Sequence, residues 1–368
     1  MLIVLVNIVV YTSTGITSDR LRIYHNVHSN SHQMNILGLT HYTSGCGYHR
    51  IILPLGYMQD TKAYATNMIT QETAQGWDVM LFNRICPYDH DFETIRKDMG
   101  CKIVVDLDDY WKLPPNHINA GFYEKTAERI ERNIAAADLV TVSNEAVAKH
   151  ARKLNNNVVV LPNALPFGLN QYNDFKQDSQ RVRILWAGSV THEHDLKIIR
   201  NPVARLKQYS DKIQMVMAGY NDTDAYTKSI WDRMFSSFTM GGQLPYMKIH
   251  SLMPAEYMAA YEYGDIMVIP LESSEWHSCK SNLKILEAAA KRIPVIVSNV
   301  APYNQDADAP VLWVNKQSDW FEHLKYLINN EEARKEYGEK LYQWAVSKYN
   351  LADVNTRRRE AFANLCSA

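Results

Sequence analysis

A lysine, a serine and an asparagine stand together at Lys280, Ser281 and Asn282, followed by Leu283 and Lys284, with a glutamate a little further on at Glu287. A lysine charge beside the free amides of a helix start suits a phosphate or diphosphate. A carboxylate a turn into the same helix can accept two hydroxyl donors, as a ribose would offer. The surrounding stretch, 265–299, reads DIMVIPLESSEWHSCKSNLKILEAAAKRIPVIVSN. DIMVIP is a continuous apolar run, as expected of a strand buried on both faces, LKILEAAAKR has helical spacing, and IPVIVSN is a second buried strand. Strand, loop, helix and strand form one βαβ unit, whose loop lies at the carboxyl end of a strand, where open α/β sheets bind ligands. Ser281 or Asn282 is expected to cap the helix. The competing expectation is an ordinary capped helix with its lysine and glutamate in solvent.

Other chemistry-bearing residues fall at predicted strand ends. MNILGLTHY (34–42) is a strand followed by TSGCGYHRIILP, where Gly45 and Gly47 would let backbone approach a ligand, with Tyr48, His49 and Arg50 directly after. As a dinucleotide fingerprint the turn is incomplete, because Arg50 stands where a third glycine belongs. CKIVVDLDDYW places Asp106, Asp108 and Asp109 after an apolar run. Such a cluster offers hard oxygen ligands, but an acceptor-side or structural role is preferred to a metal. RVRILWAGSVTHEHD puts Gly188 and Ser189 after another strand, followed by His192, His194 and Asp195. With no third ligand in view, zinc is not expected there.

The 280–287 segment resembles the donor-binding segment of GT-B glycosyltransferases, particularly the retaining enzymes of glycosyltransferase family four. In that family a Glu-x7-Glu pattern places the second glutamate on the nucleotide ribose and the first near the transferred sugar. Glu287 matches the second, whereas Cys279 occupies the first position, with Glu272 and Glu275 just upstream and Glu275 the nearer substitute. VVDLDDYW with LPPNH resembles a run in phage-type and bacterial members. The resemblance implies an α/β chain with two Rossmann-like domains facing across a cleft. It implies donor contacts from Gly188, Ser189, Lys280, Ser281, Asn282, Leu283, Lys284 and Glu287, and acceptor-side contacts from Gly45, Gly47, Tyr48, Arg50, Asp108 and Asp109. Lys280, Glu275 and His49 are the implied catalytic residues. The family's Arg/Lys pair after the first glycine of the second domain is missing, which shifts the phosphate charge to Lys280, Lys284 and helix amides.

The 368 residues, 46% hydrophobic and 21% charged, suit two domains with separate cores. The expected division is an extension at 1–33, an N-terminal Rossmann-like acceptor domain at 34–170, a C-terminal nucleotide-sugar domain at 180–345, and a helix at 346–368 that packs back on the first domain. An edge strand is the competing reading of the extension. A net charge of −1 gives no general attraction to nucleic acid or anionic membrane. Five cysteines without CxxC spacing point to a reducing compartment and no structural zinc. The apolar start, 1–11, is too short to span a bilayer. Arg357, Arg358 and Arg359 read as a solvated helix end.

The function expected is transfer of a sugar from a nucleoside-diphosphate sugar, a UDP-sugar foremost, to an acceptor hydroxyl, with retention and without a metal or other cofactor. The acceptor is a glycan or a hydroxymethylated phage DNA base, and the expected location is the cytoplasm, that of the host if the chain is phage-encoded. The alternative is a nucleotide-sugar-binding protein of the same fold without turnover. A nucleotide-sugar epimerase and a nicotinamide-dependent oxidoreductase are weaker alternatives.

Overall fold

The structure is a computed structural model that describes residues 22–25, 33–67, 75–86, 91–115, 117 and 120–367. Its first sheet comprises β1 (Arg22–His25), β2 (Met34–Leu39), β3 (Thr61–Thr66), β4 (Val79–Asn83), β5 (Lys102–Leu107), β6 (Leu139–Val142) and β7 (Val158–Val160), in the order β1-β3-β2-β4-β5-β6-β7. Every pairing is parallel except that of β1 with β3. β1 lies inside the segment expected to be an extension and forms an antiparallel edge; residues 1–21 and 26–32 of that segment lie outside the described residues.

The second sheet comprises β8 (Val182–Ala187), β9 (Ile213–Tyr220), β10 (Tyr246–His250), β11 (Ile266–Ile269), β12 (Val295–Ser298) and β13 (Leu312–Val314), all parallel, in the order β10-β9-β8-β11-β12-β13. β6, β11 and β12 are buried at every position, because helices cover both faces of a parallel sheet and alternation would put polar groups into a core.

One apolar cluster crosses between the sheets, joining Ile52, Leu53, Leu161 and Leu165 of the first half to Ile285, Leu286 and Leu341 of the second. The chain then returns: an isolated bridge pairs Leu165 with Asn350, and the helix Leu351–Ser367 buries Phe362 and Leu365 against Ile36, Leu55 and Val79. Full burial of a side chain such as Phe362 contributes about 1.5–3 kcal/mol. The return corrects the expectation of a solvated arginine run. Arg357 donates to the Val160 carbonyl at 2.9 Å, Arg359 to Asp60 at 2.8 Å, and Arg358 is buried and donates to Asn355. Burial, with the like charge of Arg50, lowers the Arg358 pKa to about 9.

Candidate functional site

The carboxyl ends of the strands in both sheets border one cleft, with a cavity of about 620 Å³ lined from both halves. Thr43, Gly45, Cys46, His49, Arg50, Asp108, Asp109 and Asn163 line it from the first half. Gly188, Ser189, His192, Gly219, Tyr257, Tyr261, Lys280, Ser281, Leu283, Lys284, Glu287 and Tyr303 are among those lining it from the second. Two glycines form the floor: Gly188 directly follows β8, and Gly219 is the penultimate residue of β9. A Cβ on Gly219 would lie 2.1 Å from the Gly188 carbonyl oxygen, and Gly219 has φ +99°.

After β11 a short helix, Glu275–Ser278, precedes the helix Leu283–Ala290. Asn282 takes the capping position, but its side chain does not cap. Its Nδ2 donates to Asp306 at 2.7 Å, and the Ser281 hydroxyl accepts from Asn163 of the first half at 2.9 Å. The expected cap is therefore absent, since both side chains are drawn to neighbouring elements. At this helix start the Ile285 N–H is taken by the Asn282 carbonyl at 2.9 Å, and Ser281, Leu283 and Lys284 line the cavity.

Two lysines flank that helix start. Lys284 is half-buried beside Gly188 and stands 5.6 Å from the Trp186 ring centroid; a Cβ on Gly188 would lie 3.3 Å from its Nζ. Burial is the main reason its pKa is pulled down to about 8. Lys280 lies over the Trp276 ring at 4.1 Å and 3.6 Å from Asp109 of the opposite half. Glu287 is buried between two tyrosines: Tyr257 donates to Oε1 at 2.8 Å and Tyr261 to Oε2. Burial pushes its pKa up to about 7 against the opposing pull of those hydroxyls. Each carboxylate oxygen keeps a further lone-pair direction.

On the first half, Gly45–Gly47 is helix and not loop. Ser44 caps it, and the helix continues through a π-helical turn, Tyr48–Ile52, into Leu53–Tyr57. Gly47 is required for clearance, because a Cβ there would lie 1.8 Å from the Thr40 hydroxyl. Such π turns recur at functional sites, and this one carries His49 and Arg50 to the cavity wall. His49 is buried and its Nδ1 has no hydrogen-bond partner. Burial and the neighbouring Arg50 charge hold its pKa down to about 4, so its 4.0 Å approach to Glu287 is not an ion pair.

Several expected acceptor-side residues have other partners. Arg50 makes a bidentate pair with Asp106 at 2.9 Å and also donates to the Leu161 carbonyl and Asn163. Four of its five N–H groups thus join β5 to the chain after β7. Asp108 pairs with Arg84 at 2.7 and 2.8 Å and accepts from Asn83, which holds its carboxyl well below the usual range. Tyr48 accepts from Gln171 at 2.8 Å and does not line the cavity. Asp109 is the acid of this cluster that reaches Lys280 of the 280–287 loop.

Glu275 is exposed on the rim, 3.7 Å from His150, and does not line the cavity, so its position does not fit the catalytic role expected of it. Cys279 is fully buried in the apolar core of the first half with Trp111, Val147 and Ala148. Sequence reasoning missed Tyr257 and Tyr261, although their i, i+4 spacing in MPAEYMAAYEYG was visible, and it missed Asn163 and Arg84, whose partners are far off in sequence. Among the described residues there is no group of three His, Cys, Asp or Glu side chains able to hold a metal, and no helix long and apolar enough to cross a membrane.

Residues 181–330 match the family model described as Glycosyl transferases group 1. No curated protein sequence matches the chain. Among solved structures, the sucrose-phosphate synthase from Thermosynechococcus elongatus is similar over 91% of this chain and 99% of its own, with a TM-score of 0.66 at 11% identity. A UDP-forming alpha,alpha-trehalose-phosphate synthase from Burkholderia xenovorans is similar over 91% of this chain and 100% of its own, with a TM-score of 0.62 at 10% identity. TarM is similar over 77% of this chain, with a TM-score of 0.56 at 12% identity, and the chain spans 54% of its length. The chain has the GT-B fold, two Rossmann-like domains facing across a cleft, and its second domain matches the group 1 glycosyl transferases.

Proposed function

We propose that this chain is a glycosyltransferase that moves a sugar from a nucleoside-diphosphate sugar, a UDP-sugar foremost, to an acceptor hydroxyl with retention at the anomeric carbon. One observation carries the reading: Lys280, Lys284 and an uncapped helix start converge on the cavity between the two sheets, with Glu287 beside them. Negative charge develops on the diphosphate as the sugar departs, and a pair of lysines with helix amides stabilises it. Glu287, already holding two tyrosine hydroxyls, uses its remaining lone pairs for the ribose. His49 is neutral, and its partnerless Nδ1 suits a hydroxyl of the transferred sugar. The UDP-forming synthase among the similar structures supports UDP as the leaving group, and retention follows the family that the sequence resembles.

The test is release of nucleoside diphosphate from a panel of nucleotide sugars, each with simple glycans, hydroxymethylated DNA or buffer alone. Release that requires one acceptor class supports sugar transfer and names that class. Binding of nucleotide sugar without release under any acceptor would instead favour the non-catalytic reading, to which the burial of Cys279 and the rim position of Glu275 lend support.

A further inference from the structure

The Arg/Lys pair that the resembled family carries after its first C-terminal glycine is replaced here by a histidine and a buried aspartate. His192 lines the same cavity as Gly188, Ser189, Lys280 and Lys284. Its Nδ1 lies 2.7 Å from Asp195 Oδ2. Asp195 is 1% exposed, and its other oxygen accepts from the Glu272 amide at 2.8 Å, so the carboxylate cannot swing away. The histidine contact and that amide hold its pKa down despite burial. A carboxylate only accepts, so Nδ1 carries the proton and Nε2 is left as the lone-pair nitrogen for a ligand in the cavity.

We propose that His192 is a ligand of the donor's diphosphate that takes up a proton as the nucleotide binds, with Asp195 as its positioning residue. The inference rests on the donor reading above and deepens it. Ionised diphosphate oxygens are acceptors, and so is the Nε2 lone pair; contact therefore requires a proton on Nε2. Around the ring stand Asp195 on its own helix, Lys284 and Lys280 across the cavity, His277 at 3.9 Å from the second Asp195 oxygen, the Trp186 ring, and Tyr303 on the cavity wall. With no anion present, burial and the two lysines keep the imidazole neutral, its pKa lowered to about 3 against the pull of Asp195. A diphosphate reverses the balance by cancelling both lysine charges and adding its own next to the ring, while Asp195 stabilises the imidazolium from behind. Lys284, whose pKa lies at about 8, also gains proton affinity from the anion. The assignment to His192 therefore depends on a comparison with its variant.

The full chain is titrated calorimetrically with UDP, GDP, ADP and dTDP at pH 7.5 in buffers of different ionisation enthalpy, alongside His192→Gln, which keeps a hydrogen-bond donor but cannot titrate. The wild type takes up more protons per nucleotide than the variant. Its affinity also falls more steeply above neutral pH, by up to tenfold per pH unit. In ¹⁵N-histidine spectra the His192 Nε2 resonance, identified by its loss in the variant, moves from the unprotonated to the protonated region on saturation. Asp195→Asn, which keeps an acceptor without charge, lowers the proton uptake while His192 stays in place. Equal proton uptake in wild type and His192→Gln, or an unmoved Nε2 resonance at saturation, overturns the inference and leaves the donor site standing. Failure of the wild type to bind any of the four nucleotides overturns the donor reading and this inference together.

Discussion

Replacing Glu287 by glutamine separates the cost of a buried charge from everything else that the residue does. The folded carboxyl titrates at about 7 and the free one at 4.5, because burial disfavours the anion more than two tyrosine hydroxyls favour it. A raised folded pKa means that the native state holds the proton more tightly than the unfolded chain. Its contribution to stability is fully present below pH 4.5 and is lost as pH rises through 7. From these two pKa values the loss between pH 5 and pH 8 is on the order of 2–3 kcal/mol, levelling off above neutrality. Glutamine does not titrate, and it faces at least one of the two tyrosines with an N–H in place of an oxygen. That penalty is the same at both pH values and cancels in the difference. Urea unfolding of wild type and Glu287→Gln at pH 5 and pH 8 should therefore show the variant gaining on the order of 2–3 kcal/mol on the wild type over that interval. Parallel profiles would mean that Glu287 titrates normally, and would remove the buried carboxylate on which the ribose contact depends.

Asp109→Asn removes the negative charge 3.6 Å from Lys280 and leaves the lysine to a bound diphosphate. A partly exposed pair of this kind is worth about 0.5–1 kcal/mol, so UDP affinity by calorimetry should rise roughly two- to fivefold, and a fall would show that Asp109 orients Lys280 instead of competing for it. Cys279→Glu restores the family's glutamate in sequence but places a carboxylate in an apolar core, so it should lower the melting temperature sharply without raising transfer; a stable, more active variant would refute the burial argument. Gly219→Ala forces a left-handed backbone onto alanine and drives a Cβ against the Gly188 carbonyl, a cost of roughly 2–4 kcal/mol measurable by urea unfolding.

The sequence made the 280–287 loop legible because its flanking signals are local: a continuous apolar strand on each side and a helical period between them. What surrounds the loop was not legible. The Glu287 carboxylate is enclosed by tyrosines thirty and twenty-six residues upstream, and Arg84 meets Asp108 twenty-four residues further on, so no local pattern announces either pairing. From sequence, Gly45 and Gly47 read as a turn because glycine usually marks one. Here Gly47 is small for a different reason, the passage of Thr40 against the helix start. Cys279 shows the limit of matching by position: the spacing to Glu287 is the family's, but the side chain turns into the core of the other domain.

That turn of Cys279 bears on how the two domains share one site. The 280–287 loop belongs to the second domain by sequence, but much of its support comes from the first. Asn144 donates to the carbonyls of Cys279 and Lys280 at 3.1 Å, Asn163 donates to Ser281, Asp109 faces Lys280, and Cys279 lies in the first domain's core. Asn144 also caps the helix Glu145–Ala151, so its side chain cannot follow the loop without uncapping that helix. A cap is worth about 1 kcal/mol, and two amide contacts add a comparable amount. Opening the cleft at this loop therefore means breaking contacts on both sides at once, including a buried one at Cys279. The 280–287 loop is thus held by contacts from both halves of the chain.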